Sequence, residues 1–457
     1  MTKAHAKLVA AVAASLEPDE PLSEDAAAVK FAEQMGLLWR FCHHRRAWYR
    51  WQGNKWRVDE TEAIFDVLRQ MIRALSCSDS GHRKMSAGRR GFLVGVERNC
   101  RADPVFARTS AHWDSDRFLL GTPTGTIDLR TGKLREADPD DGITKVVAVT
   151  PADRADCPNW FRFLKEATGD DDGLILFIQR WTGYCLTGDT REDALAFFFG
   201  DGGNGKTVFQ NTIAGILEEY AATAAMETFT AAKGERHPTD LAMLRSARLV
   251  MASETEEGRA WAEARIKQLT GGDPITARFM RQDFFTYTPQ FKLTIIGNHK
   301  PVLRNIDEAA RRRFCIVPFT IKPANPDRQL EVKLKAEWPG ILRWMIEGCL
   351  DWQANGLPRP DAVALATSEY FSDQDVLGQW LVEHCNLEPA NSRGGVGSSA
   401  LFDNWQAYAR RSGEEPGTIK SFSEKLQRRG LKKKRTNSGI MFTGIELKPP
   451  PDSFETL

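Results

Sequence analysis

Four short apolar runs stand out in a chain that otherwise places its hydrophobic positions at helical spacing. They lie within Ala194 to Phe199, Ala247 to Glu254, Leu293 to Gly297 and Cys315 to Phe319. Such runs, bounded by turn residues, predict strands of a parallel sheet buried on both faces. Helical periodicity fills the gaps. Trp160, Phe163 and Leu164, then Leu174, Phe177, Ile178 and Trp181, predict helices leading into the first run. Further helices are expected from Thr207 to about Glu219, from Trp261 to Leu269, and around Leu334 to Ile346. Ile275 to Met280 and Phe284 to Lys292 predict two strands around the polar tip Arg281-Gln282-Asp283. Upstream, the pattern is mixed. Helices are expected near Ala28–Leu38, Glu60–Ser76 and Met85–Asn99, and a strand pair around the Gly53-Asn54 turn. Phe118 to Lys133 carries the turn punctuation of further β structure.

Composition narrows the class. At 457 residues the chain exceeds one hydrophobic core, and 42% hydrophobic with 27% charged residues is ordinary for a globular protein. A formal charge of +1 rules out a polycation, so any nucleic-acid surface must be a local cluster. No apolar run reaches a membrane span and no signal-peptide pattern is seen, so a cytoplasmic location is expected. The eight cysteines are scattered singly, against a disulfide framework or a zinc ribbon. Cys42-His43-His44 lacks a partner pair at ligand spacing and reads as ordinary packing and surface.

The candidate chemistry begins where the first run breaks. Gly200-Asp201-Gly202-Gly203-Asn204-Gly205-Lys206-Thr207-Val208 meets the pattern G-x-x-x-x-G-K-T between a strand and a helix. Glycines there let backbone N–H groups point into one concavity, and the new helix adds its positive end, which together hold a polyphosphate. Lys206 is expected on the β/γ-phosphates of ATP and Thr207 on Mg²⁺. The second run ends in Ser253-Glu254, and Glu254 is the candidate for ordering Mg²⁺ and polarising the attacking water, with Glu256 and Glu257 close behind. Asn298, after the third run, can hold the lytic water or γ-phosphate without adding charge. Arg311-Arg312-Arg313 precedes the fourth run, and one of them reads as a finger reaching a neighbouring subunit's γ-phosphate.

The series GDGGNGKT, LVMASE, LTGGDPITARFMRQDFF, KLTIIGNHKP and DEAARRRFCIVPF resembles superfamily 3 helicases of the AAA+ class. It is most similar to the C-terminal helicase part of phage and plasmid primase–helicases, related to the poxvirus primase-helicase. WYRWQGNKW, LLGTPTGTIDLRTGKL and CPNWFRFLKEATGDD resemble the accessory region preceding the ATPase in that family, so the likeness covers most of residues 30 to 345. It implies a hexameric ring threading single-stranded DNA, with Lys206 and Thr207 in the nucleotide motif, Glu254 as the acid, Asn298 as the sensor and Arg312 or Arg313 as the finger. The strand pair Ile275–Lys292 maps to the channel hairpin, which makes Arg278 and Arg281 the expected DNA contacts. Ser253 stands where relatives often carry a second acid, and no polymerising primase domain is recognisable.

Beyond a polar linker near Leu387–Ser398, two helices and a basic strand pair form a winged-helix pattern. Its Lys420, Lys425, Arg428, Arg429, Lys432, Lys433, Lys434 and Arg435 are candidate DNA contacts. The expected fold is therefore α/β: a flexible tail (1–25), an α+β accessory domain (26–150), a P-loop ATPase with a parallel central sheet (157–345), a helical connector (346–390) and a small winged-helix-like domain (398–448). The expected function is an ATP-dependent DNA helicase of phage, prophage or plasmid replication, acting on single-stranded and forked DNA as a homo-hexamer, with a separate primase or polymerase as a further partner. The alternatives are an origin-binding initiator or loader that uses ATP only to switch conformation, and a small-molecule kinase on the same loop.

Overall fold

A computed structural model describes residues 23–76, 89–231, 239–254, 259–281, 283–303, 308–388, 394–436 and 439–449. The first part of the chain forms α1 (Glu24–Met35), β1 (Trp39–Cys42), β2 (Ala47–Trp51), β3 (Trp56–Val58), α2 (Ala63–Ser76), α3 (Arg90–Ala102) and β4 (Ala107–Arg108). These strands make one sheet in the order β3-β2-β1-β4. Its core is aromatic: Trp39, Trp48, Phe41 and Phe106 pack with Phe31 and the apolar face of α2. Trp48 donates its indole N–H to Glu97, satisfying a carboxylate that is 1% exposed. Cys42, read as an ordinary packing residue, is buried at the end of β1, and His43 and His44 open the following turn, both exposed.

A three-stranded sheet follows, β5 (Leu119–Gly121), β6 (Thr126–Asp128) and β7 (Lys133–Arg135). The sequence grouped it with the first part, up to residue 150. Its buried Leu120, Ile127 and Leu129 belong instead to the central core, with Trp160, Trp181 and Ile346. Polar bonds hold it there. Tyr220 Oη accepts from the Gly121 N–H at 3.2 Å and donates to the Lys145 carbonyl at 2.8 Å. Arg343 and Gln353 donate to the carbonyls of Gly132 and Leu129.

The central unit contains α4 (Pro158–Thr168), α5 (Asp172–Cys185), β8 (Leu195–Phe199), α6 (Lys206–Leu217), β9 (Ala221–Thr223), α7 (Thr239–Ala242), β10 (Leu249–Glu254), α8 (Glu263–Thr270), β11 (Ile275–Ala277), β12 (Phe285–Tyr287), β13 (Lys292–Gly297), α9 (Glu308–Arg313), β14 (Phe314–Pro318), α10 (Leu330–Ala336), α11 (Trp338–Asn355) and α12 (Asp361–Asp373). Five strands form the expected parallel sheet in the order β14-β8-β13-β10-β9. The pleat sends alternate residues to opposite faces. Ala196, Phe198, Met251, Ile296 and Val317 face α4, α5, α6 and α11; Phe197, Val250, Ile295 and Ile316 face α8 and α12. β11 and β12 pair as a separate antiparallel hairpin, shorter than the sequence suggested because Lys292 already belongs to β13.

The C-terminal unit comprises α13 (Val376–His384), β15 (Cys385–Leu387), β16 (Gly395–Gly397), α14 (Ser398–Arg411), α15 (Ile419–Arg428), β17 (Lys432–Thr436), β18 (Gly439–Thr443) and β19 (Ile445–Leu447). Trp380, Trp405, Phe422 and Phe442 share one core that includes α13. This core therefore starts near Val376, and the polar segment expected as a linker is flanked by strands: β15 pairs with β19, and β16 with β18.

Candidate functional site

The loop after β8 is shaped by contacts that exclude side chains. A Cβ on Gly200 would lie 1.7 Å from the Phe319 carbonyl oxygen, and one on Gly205 2.6 Å from the Phe163 ring. Gly203 and Gly205 have φ of +87° and +86°, which glycine adopts without steric cost. By contrast, Cβ atoms on Gly202 and Gly203 would meet nothing, so a ligand can approach the backbone there. The loop thus rests on α4 and on the chain leaving β14, with its outer arc open.

Lys206 opens α6 and is only 7% exposed. Its Nζ donates to the Gly200 carbonyl and, more distantly, to the Asp201 carbonyl (3.4 Å) and Asn204 Oδ1 (3.5 Å). Burial draws its pKa below the ordinary lysine value; Asp201 opposes that shift and Lys322 adds to it. Asn204 is 2% exposed and its Nδ2 has no hydrogen-bond partner among the described residues. A buried donor of this kind needs an acceptor, and a phosphate oxygen meets that need. Thr207, by contrast, is exposed at the helix start.

The loop forms one wall of a cavity of about 780 Å³, within the range of small-molecule sites. Ser253, at the end of β10, and Asn298, just after β13, lie on the same wall as Val208 and Thr207. Ser253 Oγ donates to Gln210 at 3.3 Å. Glu254 is the last residue of β10, in register with Gly297; its side chain lies outside the description, as do Lys233, Arg236, His237, Glu256 and Glu257. Part of the lining was not anticipated. Arg162, Phe163 and Glu166 of α4, on which Gly205 rests, line the cavity together with Pro323, Asn325, Pro326 and the Asp327–Lys333 ion pair, 2.6 Å, before and within α10. Helical spacing had assigned Phe163 to the core alone; it does both.

Among the described residues no group of three His, Cys, Asp or Glu side chains is placed to hold a metal. Thr207, exposed at the start of α6 and lining the cavity, is the described side chain that would stand beside a Mg²⁺ brought in by phosphates.

The arginines are elsewhere. Phe314 of β14 pairs with Leu195 and Pro318 with Phe199. Arg311, Arg312 and Arg313 therefore sit at the start of strands whose far end carries the P-loop, roughly 16 Å away at 3.3 Å per residue. They differ among themselves. Arg311 lies over the Phe371 ring, and Arg313 donates to the Ala309 carbonyl at 3.1 Å and stands 3.7 Å from Asp193. Arg312 is exposed, and its carbonyl and that of Arg311 are held by Arg359.

The same edge of the sheet holds two cations that the sequence reading missed. Arg248 donates to the carbonyls of Leu186 and Leu119, and Lys292 to those of Thr187, Asp189 and Gln290. Burial pushes the Lys292 ammonium down to about 7. Their signal in the sequence was a charge at the start of an apolar run.

Of the hairpin candidates, Arg278 is half-buried with its guanidinium 4.6 Å over Phe284, while Arg281 is exposed with φ of +59°. Phe279, Met280 and Phe284 are exposed beside them. In the C-terminal unit Lys420, Lys425, Arg428 and Lys432 to Arg435 are exposed. Arg429 is tied to Asp375. Lys432 and Lys434 pair with Thr443 and Met441, Lys433 and Arg435 with Phe442 and Ile440, so the pleat divides the run between two faces.

Comparison with known proteins agrees with this layout. Residues 28–169 match a family described as D5 N terminal like, and residues 198–313 a family of unknown function, DUF5906. A provisionally named helicase of Acanthamoeba polyphaga mimivirus is 25% identical over 346 residues, 69% of this chain and 35% of that protein. Another, from Frog virus 3, is 24% identical over 257 residues, 51% of this chain and 26% of that one. The chain thus spans about a third or less of these relatives. Two apo structures of the NrS-1 C-terminal region superpose with TM-scores of 0.54 and 0.51, covering 93% and 94% of this chain and all of theirs, at 10% and 11% identity. At that identity the likeness speaks to the fold. Among the described residues no helix is long and apolar enough to cross a membrane.

Proposed function

The chain carries the C-terminal architecture of phage and viral primase-helicases, and from that premise we propose that it is an ATP-hydrolysing DNA helicase working as a ring of like subunits, a hexamer by resemblance. The observation that carries this reading is the separation of Lys206 and Arg312 on opposite edges of one sheet. A chain cannot bring its own exposed arginine to its own phosphates across that distance. A head-to-tail neighbour can, and heterologous contacts of that kind close into rings.

In this reading Lys206 leaves the Gly200 carbonyl for the β/γ-phosphates and Asn204 supplies its unpartnered N–H. Bound Mg²⁺, beside Thr207 and with Glu254 as the candidate acid, would neutralise charge on the transferred phosphoryl group. Asn298 holds the attacking water by hydrogen bonds. Arg312 of the adjacent subunit stabilises the charge that develops on the γ-phosphate; Arg313, committed to Asp193 and Ala309, braces α9. The hairpin with Arg278 and Arg281 draws one DNA strand through the ring by phosphate contact.

The initiator reading keeps one support: the C-terminal unit. Within its order of helix, two strands, two helices and three strands, the pairing of β17 with β18 and of β18 with β16 resembles a winged helix, and the exposed edge strand β17 is basic. Strand displacement on a forked DNA separates the two. Unwinding by wild type, lost in both Lys206→Ala and Arg281→Ala, supports the helicase. Hydrolysis without unwinding by wild type contradicts it and favours the initiator.

A further inference from the structure

Arg312 reaches solvent from α9, a helix of 6 residues, too short to hold a direction by itself. The last carbonyls of a helix have no intrahelical donor, and here β14 begins at once with Phe314. Arg359 supplies the missing donors. It donates to the Arg311 carbonyl at 3.1 Å and, through its other terminal nitrogen, to the Arg312 carbonyl. These carbonyls belong to the two peptide groups that flank the Arg312 Cα. Peptide groups are planar, so holding both leaves the backbone at Arg312 little freedom and fixes the direction in which its side chain departs. A guanidinium can do this because its donors form a rigid fork.

Arg359 is restrained in its turn. It lies in the connection between α11 and α12, in the sequence Pro358-Arg359-Pro360. Pro358 has a locked φ, and the ring of Pro360 disfavours helical backbone at the residue before it. Pro360 is the N-cap of α12, with φ of −67° and ψ of 163°. That helix is anchored to the strand beside the arginines: Thr367 Oγ1 accepts from the Ile316 N–H at 3.0 Å, and Phe371 lies under Arg311 and 6.1 Å from the Phe314 ring. Of the three arginines, Arg312 alone has an exposed side chain, and both peptide groups beside it are clamped. A solvated surface charge needs no such clamp. A side chain that must meet a target outside its own chain does, because a pre-set direction lowers the ordering cost of the contact.

We propose that Arg359 is a positioning residue for Arg312, aiming it from the surface of one subunit into the nucleotide pocket of the next. This rests on the shared-site reading above and adds to it a residue outside both the P-loop and the arginine run. Arg359 contacts no phosphate and acts only through the backbone of Arg312.

The test is steady-state ATP turnover of the full chain, with fluorescent ATP-analogue affinity and thermal midpoints measured alongside. Arg359→Ala should lower kcat roughly ten- to a hundredfold, the scale of an ångström-sized misplacement, while KM and analogue affinity stay within about threefold. Arg359→Lys, a point donor in place of the fork, should fall between that variant and wild type; it replaces Arg359→Ala throughout if the latter does not fold. Added to Arg312→Ala, the same substitution should change kcat by less than about twofold, because the group it positions is already gone. Mixed with Lys206→Ala, the Arg359 variant should regain turnover, since one protein keeps the pocket and the other the arginine edge. Mixed with Arg312→Ala it should not. Wild-type turnover per folded molecule, a further large loss in the Arg312→Ala background, or recovery with Arg312→Ala would each overturn the proposal. If Lys206→Ala and Arg312→Ala fail to restore one another, the shared-site reading falls and this inference with it; if they succeed, those three outcomes bear on Arg359 alone.

Discussion

The two edges of the five-stranded sheet treat positive charge in opposite ways. At the edge where the strands end, Lys206 is held by loop carbonyls, one of them 3.4 Å away, next to the unpartnered Asn204 amide and a cavity of about 780 Å³. At the edge where they begin, Arg248 and Lys292 are buried and fully engaged with backbone carbonyls, and Arg313 is bonded within its own helix. The first edge keeps its donors ready for a ligand. The second spends them on rigidity and leaves Arg312 exposed to solvent. On the function proposed above, each edge carries half of a catalytic centre that a second copy would complete.

The largest expected effect falls on the open edge. Lys206→Ala should reduce ATP turnover by roughly a hundred- to a thousandfold, the scale of removing one charge-stabilising donor, with the thermal midpoint little changed. A large fall in midpoint instead would mean that the lysine-to-carbonyl bonds are structural and would erase the contrast.

The second prediction sharpens the arginine edge. Arg312→Ala should lower turnover by about 10³, the low end for an arginine finger, while fluorescent ATP-analogue affinity per chain stays within about threefold. Arg313→Ala should do the reverse. It should cost about 0.5–1 kcal/mol of stability, by removing the bond to the Ala309 carbonyl and the half-exposed pair with Asp193, with a smaller loss of turnover per folded molecule. Equal loss of turnover from both would dissolve the distinction drawn between them.

The third tests whether the closed edge is bought at an electrostatic cost. Lys292 titrates near 7 when folded and near 10.4 when unfolded. Between those values the unfolded chain binds more protons, so the lysine's contribution to stability is complete above about pH 10 and lost as pH falls towards 7. Against Lys292→Met, which lacks the group, wild type should gain unfolding free energy from pH 7.5 to 9.5, with a ceiling of about 1.4 kcal/mol per pH unit. Taking the difference cancels the cysteines and tyrosines common to both. A difference independent of pH would show that the carbonyls keep the ammonium charged.

The smallest effects lie in the C-terminal unit. Lys432→Gln with Lys434→Gln, one face of β17, should lower the salt slope of duplex binding by up to about 1.8, two phosphates at about 0.9 each. Arg429→Ala should leave that slope unchanged and lower stability by about 0.5–1 kcal/mol, through Asp375.

These contrasts show what the amino-acid order could and could not convey. The glycine turn between β8 and α6 was legible from the spacing of Gly200, Gly205 and Lys206, and the buried parallel strands announced themselves by continuous apolarity. The contribution of α4 to the cavity was not readable. Phe163 sits on a helical stripe like any core residue, and only the fold turns its edge toward Gly205. Nor was the allegiance of β5 to β7, because Tyr220 reaches them from almost a hundred residues downstream. In the C-terminal unit the run Lys432 to Arg435 read as one patch, yet a strand pleat must split adjacent residues between two faces.

The most direct test is a mixture of the two damaged proteins, Lys206→Ala with an intact arginine edge and Arg312→Ala with an intact pocket. If each site is built from two neighbours, random assembly at equal amounts makes about one interface in four complete, following the head-to-tail geometry. The mixture should then recover about a quarter of wild-type ATP turnover, far above either protein alone. Turnover no greater than the sum of the two separate proteins, in rings shown by native mass spectrometry to contain both, would contradict the shared site.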